Sequence, residues 1–110
     1  MIVAVKKRLL DARTSRIMAH RADAMMGSFE NGERYRKICD NAWRESNEAE
    51  AAIAGRLQTL SAMDRMIVEQ WVDGATFEEI AKAAGWSVSW TNRRFNAAVR
   101  KMQEEAERET

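Results

Sequence analysis

The sequence predicts an all-α protein: an N-terminal helical hairpin or one long helix, followed by a C-terminal unit of three helices. Three observations predict it. The 110 residues contain no proline and only five glycines among abundant Ala, Glu, Arg and Met, a balance that favours helix almost throughout. Apolar residues recur at spacings of three and four over long stretches. Capping residues and glycines stand where those stretches begin and end. The length suits one compact domain, or one with an appended helical arm.

The elements follow in order. Residues 3–22 read as a first helix, with Val5, Leu9, Leu10, Ile17 and Met18 as the apolar members of an irregular stripe. Between Asp23 and Gly32 the pairs Gly27-Ser28 and Asn31-Gly32 supply turn chemistry, and Met25, Met26 and Phe29 need burial. From Glu33 the pattern becomes regular. Tyr35, Cys39, Ala42, Ser46, Ala49, Ile53, Leu57 and Leu60 fall on one face of a helix of roughly 27 residues, about 40 Å long. A seam so rich in Ala, Ser and Cys admits another helix closely. Residues 3–22 folded back, or a second copy of the chain in a homodimer, suit it equally.

Ser61 starts the next helix, with Asp64 giving a capping-box signal. Met63, Ile67 and Trp71 share a face, Val72 joins them, and Gly74 ends the helix. Thr76-Phe77-Glu78-Glu79 is a full capping box that opens another helix, with Ile80, Ala81 and Ala84 inward and Gly85 at the left-handed position that closes it. Ser87 caps the last helix, which runs to about Glu105 with Thr91, Phe95, Ala98 and Met102 buried. The expected division is an arm over residues 1–60, a folded unit over 61–105 and an acidic tail over 106–110.

The formal charge of +1 hides a segregation. Residues 1–22 carry six Lys/Arg against Asp11, whereas residues 23–80 carry six basic and twelve acidic side chains. Residues 81–103 carry Lys82, Arg93, Arg94, Arg100 and Lys101 and no acid at all. Such a block suits a phosphate-rich partner, since phosphates meet only one face; a merely solvated helix face would look the same. No apolar run approaches the roughly 20 residues needed to span a bilayer, and no apolar segment follows the early basic residues as an export signal requires. Cys39 is the only cysteine and cannot form an intramolecular disulfide. A cytoplasmic setting without membrane contact is expected.

Phe77 to about Val99 is two helices around a tight turn. Ala81 is small enough for the second helix to cross close to the first, Gly85 makes the turn, and the β-branched Thr91 plugs the angle between the helices. These are the physical needs of a helix-turn-helix. The wider context, Leu60 to Ile67, then Gly74 to Ala81, then Gly85-Trp86-Ser87, resembles region 4 of bacterial sigma factors. It is still more similar to the short sigma-like regulators of phages and mobile elements, in which a helical part precedes one such region. The resemblance covers about residues 60–102, and its most specific piece is Gly74…Glu79-Ile80-Ala81…Gly85…Ser87. The family usually has Val or Ile where Thr91 stands, and polar or basic residues where Val88 and Trp90 stand.

The resemblance implies double-stranded DNA as partner, with Val88–Met102 as recognition helix and its first turns in the major groove. Ser89, Asn92, Arg93 and Asn96 lie off the buried face, and Arg and Asn suit guanine and adenine edges. Trp90 suits a thymine methyl or a sugar edge. Backbone amides near Thr76 and Ser87 are phosphate-binding candidates, and Lys82, Arg94 and Arg100 add charge. Trp86 and Trp90, four apart, are also placed to stack on each other. Region 4 of sigma factors contacts RNA polymerase, which makes the polymerase a further expected partner. The 110 residues hold no promoter-melting region, so an activator or accessory factor is expected rather than a full sigma factor.

Catalytic constellations are missing from the sequence. His20, the only histidine, sits beside Arg21 on a helix face, and Cys39 lies in the apolar seam. No metal-ligand spacing, Gly-rich phosphate loop or Ser/His/Asp set occurs, so neither enzyme activity nor a cofactor is expected. Two other readings fit the same pattern. One is a phage DNA-packaging recognition subunit, although there the DNA-binding unit usually comes first. The other is a protein-interaction module or inhibitor of host machinery that keeps the fold without binding DNA.

Overall fold

The computed structural model describes residues 4–25 and 32–109, and among them the only regular structure is helical. Six helices follow one another: α1 (Val5–Met25), α2 (Gly32–Ala51), α3 (Ala54–Leu57), α4 (Ala62–Val72), α5 (Phe77–Ala84) and α6 (Val88–Arg108). The fold class is the expected one, and α1 and α2 pair as a hairpin rather than joining into one long helix. The expected turns at Gly27-Ser28 and Asn31, and the burial of Met26 and Phe29, lie outside the described residues.

The buried face of α1 is not the stripe of its largest side chains. Val5, Leu9, Ala12, Arg16, Ala19 and Ala22 are buried, while Leu10 and Met18 are half-exposed at 50% and 51%. Small side chains win because they let the two hairpin helices come close; Leu10 and Met18 would hold them apart. Ala19 and Ala22 meet Cys39 and Ala42 in a thin seam, with Ile38 and Trp43 packed against it. The fully buried Ser46 donates its hydroxyl to the Ala12 carbonyl at 2.9 Å, so its polar atom costs little to bury. Met25, expected to need burial, is likewise half-exposed.

The second half of the hairpin is shorter than the expected 27-residue helix. Its backbone tightens at Ile53, whose N–H bonds the carbonyl of Glu50 rather than that of Ala49, and α3 then starts afresh. The cause lies in side-chain size along the seam. Through Ala49 the inward residues are small; beyond it they are Ile53, Leu57 and Leu60, which turn into a larger core.

That core joins both halves of the chain. Val5, Leu9 and Ala12 of α1 pack with Ile53 and Leu57, with Ile67, Val68 and Val72 of α4, with Ile80 of α5, and with Phe95, Ala98, Met102 and Ala106 of α6. Residue 60 is therefore no boundary in the packing. Nor do residues 106–109 form a separate tail: α6 continues to Arg108 with Ala106 buried. Its last turns are strapped to the α3 segment by Arg56–Glu109 at 2.6 Å and Thr59–Glu105 at 2.8 Å. In the same turns of α6 Gln103 Oε1 accepts the Val5 N–H at 2.9 Å, which ties the start of α1 to them.

Two α1 arginines carry the hairpin into the C-terminal helices. Arg13 donates to the carbonyls of Trp71 and Ala75 and lies over the Trp71 ring, 4.6 Å from its centroid. It thereby adds a second donor to the Trp71 carbonyl, which also accepts the Gly74 N–H at 3.0 Å, and ties α1 to the turn after α4. Burial lowers the Arg13 pKa, partly offset by Glu79. Arg16 pairs with Glu50 and with Asp73, each at 2.7 Å. Burial works against its charge, but those hydrogen bonds outweigh burial and raise its pKa. Next to this clamp Gly74 has φ +109°, and a Cβ there would stand 3.3 Å from Ile17 Cγ1.

Candidate nucleic-acid interface

The candidate site is the turn between α5 and α6 and the outward face of α6. α5 begins at Thr76, whose hydroxyl accepts the Glu79 N–H at 3.1 Å while Glu79 Oε1 accepts the Thr76 N–H at 3.2 Å. This is the reciprocal capping box read from the sequence. The Ser61 end of α4 is simpler. Ser61 accepts the Asp64 N–H at 3.2 Å, but the Asp64 carboxylate turns away to α6.

Gly85 closes α5 with φ +75°. The Trp86 N–H reaches the Ala81 carbonyl at 2.8 Å and the Gly85 N–H the Lys82 carbonyl at 3.4 Å, the paired bonds of a Schellman ending. Ser87 caps α6, accepting the Trp90 N–H at 3.1 Å. Only Gly85, Trp86 and Ser87 separate the two helices. Ala81 is buried and Thr91 is fully buried, the latter donating its hydroxyl to the Ser87 carbonyl at 2.9 Å. Ala84, expected to face inward, is exposed, because α5 ends there and the chain turns away beneath it.

α6 is thus held from below by Thr91, Phe95, Ala98, Val99 and Met102. Phe95 is packed between Trp71 at 4.8 Å and Phe77 at 5.1 Å between ring centroids. On the opposite side Ser89, Asn92, Arg93, Asn96 and Arg100 are all exposed. Their spacings of three, one, three and four put them on one stripe about 16 Å long at 1.5 Å per residue. Asn96 donates to Asn92 Oδ1 at 3.0 Å, which leaves the remaining amide donors and acceptors of both facing outward. Among the described residues Arg93, Arg100 and the exposed Lys82 of α5 have no ion-pair partner.

Arg94 and Trp90 stand apart from that stripe. Arg94 donates from Nε and Nη2 to Asp64 Oδ1 at 3.0 and 2.7 Å, with its guanidinium 5.9 Å from the Trp90 centroid. It ties α6 to α4, a role that the sequence pattern of cations does not reveal. Trp90 is half-buried against the core and meets Trp86 edge-on at 4.9 Å. Val88, in the first turn of α6, is 45% exposed. Of the nine residues read as DNA-binding, Ser87, Ser89, Asn92, Arg93, Asn96, Lys82 and Arg100 are exposed, and Trp90 and Arg94 are partly covered.

Elsewhere the described residues hold no group of His, Cys, Asp and Glu arranged to bind a metal ion. Burial pushes the Cys39 thiol up, with Asp23 and Asp40 adding to the effect, so it is a poor nucleophile at neutral pH. His20 is exposed, with its ring edge-on to Trp43 at 5.3 Å. No helix among the described residues is long and apolar enough to cross a membrane.

No protein-family model matches the chain. Curated proteins and solved structures likewise give no match.

Proposed function

We propose that the protein is a DNA-binding transcription regulator that sets the N-terminal half of α6 into the major groove of duplex DNA. The observation that carries this reading is the α6 stripe. From Ser89 to Arg100 it is a helix face free of acids, with outward amides at Asn92 and Asn96 and, among the described residues, no ion-pair partner for Arg93 or Arg100, set on a short turn. A major groove about 12 Å wide admits one such helix. The likeness to sigma region 4 supports the same reading. It adds RNA polymerase as a second partner, a phage or mobile element as the setting and the cytoplasm as the place of action. A homodimer on DNA belongs to the proposal; a monomer mass in sedimentation at micromolar concentration refutes that part alone.

The test is fluorescence anisotropy of a labelled random duplex, titrated at low and moderate salt with wild type and Arg93→Ala. Wild type is expected to bind at micromolar concentration and to weaken steeply with salt. Arg93→Ala is expected to bind the same duplex more weakly than wild type at each salt concentration. Absence of binding at low salt refutes the DNA reading. One observation favours a second reading, a protein-interaction module: Val88, an apolar side chain in the first turn of α6, is exposed. That reading gains if replacing Val88 and Trp90 leaves DNA affinity intact and abolishes a complex with RNA polymerase.

A further inference from the structure

We propose that Val88 is a specificity-determining residue that reads the C5 methyl group of thymine. This inference rests on the DNA-binding reading and deepens it. Three observations lead to it. First, Val88 opens α6 immediately after the Ser87 cap and is 45% exposed, so a branched apolar side chain stands at the end of the helix that enters the groove first. Second, Val88 and Asn92 are four residues apart and therefore adjacent on the helix surface. Val88 flanks the polar stripe on the Asn92 side, whereas Trp90 flanks it on the other and is turned onto Trp86. Third, the surrounding surface suits a polyanion: Lys82 and Arg93 are exposed, and the segment 81–103 has no acid.

Among base edges in the major groove only thymine offers an apolar group, its C5 methyl. An exposed valine aimed there has that one partner; a cytosine or guanine edge would leave polar atoms against it without hydrogen bonds. Asn92, one turn along, matches adenine N6 and N7. Its donor and acceptor remain available because the bond to Asn96 uses one lone pair of Oδ1. The pair Val88–Asn92 therefore selects a step containing thymine and adenine, and Arg93 extends the reading toward guanine.

The experiment compares two libraries of the same random duplexes, one amplified with dTTP and one with dUTP, which lacks only the methyl group. Both are carried through parallel rounds of selection on the full-length protein. Sites enriched from the thymine library are then remade with single dT-to-dU replacements and titrated. One or two positions are expected to lose about fourfold in affinity on losing the methyl, the value of one buried apolar carbon. Val88→Ala is expected to abolish that thymine-over-uracil ratio, and Val88→Ile to keep it. Val88 is exposed, so neither substitution endangers the fold. Equal binding of thymine and uracil sites, or a ratio unchanged in Val88→Ala, overturns this inference while DNA binding stands. Failure of both libraries to enrich at low salt overturns the DNA-binding reading, and this inference with it.

Discussion

At the scale of single residues, two glycines carry different demands. Gly85 has φ +75° with open space where a Cβ would go, whereas Gly74 has φ +109° with Ile17 Cγ1 at 3.3 Å. An alanine at Gly85 meets only the left-handed backbone penalty, about 1–2 kcal/mol. An alanine at Gly74 meets a less accessible backbone region and also displaces Ile17. Urea unfolding is expected to rank Gly74→Ala as clearly more destabilising than Gly85→Ala, by about 1 kcal/mol or more. Equal costs would mean that Ile17 yields freely. Both glycines were legible in the sequence as helix ends. The near approach of Ile17 was not, because it depends on where α1 lies and no local pattern encodes that.

At the scale of elements, the arginines of α1 are the decisive feature. Arg16 joins α1 to Glu50 of α2 and to Asp73 at the end of α4, so one side chain fixes the hairpin against the C-terminal helices. Arg16→Met would leave two carboxylates without their cation. Both retain some access to water, so the cost falls below that of a fully buried pair, at about 2 kcal/mol. Chemical denaturation checks this, and a loss well under 1 kcal/mol would show that the pair acts only as a surface bridge. The charge count of residues 1–22 shows six basic side chains but not that Arg13 and Arg16 point inward. Charge along a sequence shows sign and density, and partners distant in sequence decide direction. The turn of the C-terminal unit was far more legible: Thr76, Glu79, Gly85 and Ser87 act within a few residues of themselves, so local rules suffice. The break at Ile53 escaped because the apolar spacing continues undisturbed across it.

At the scale of the whole molecule, one apolar core spans both halves. Residues 61–109 alone lose Val5, Leu9, Ala12, Ala49, Ile53, Leu57 and Leu60 from that core, together with both arginine contacts at the end of α4. Circular dichroism of this fragment is expected to show little helix, and the full chain to unfold in one transition by far-ultraviolet and tryptophan signals alike. A folded fragment would reverse this reading of the arm as part of the core. The molecule is also extended. Its radius of gyration is 15.7 Å, against about 13 Å for a compact chain of this length, and it measures 49 × 38 × 17 Å.

The seam of Ala19, Ala22, Cys39, Ala42 and Ser46 has a thermal consequence. Heat capacity rises on unfolding in proportion to the apolar surface released to water, and side chains this small release little of it. The hairpin therefore adds closeness of backbones without much hydration change. The stability of the molecule should vary more gently between cold and warm conditions than that of an equally long bundle closed by leucines.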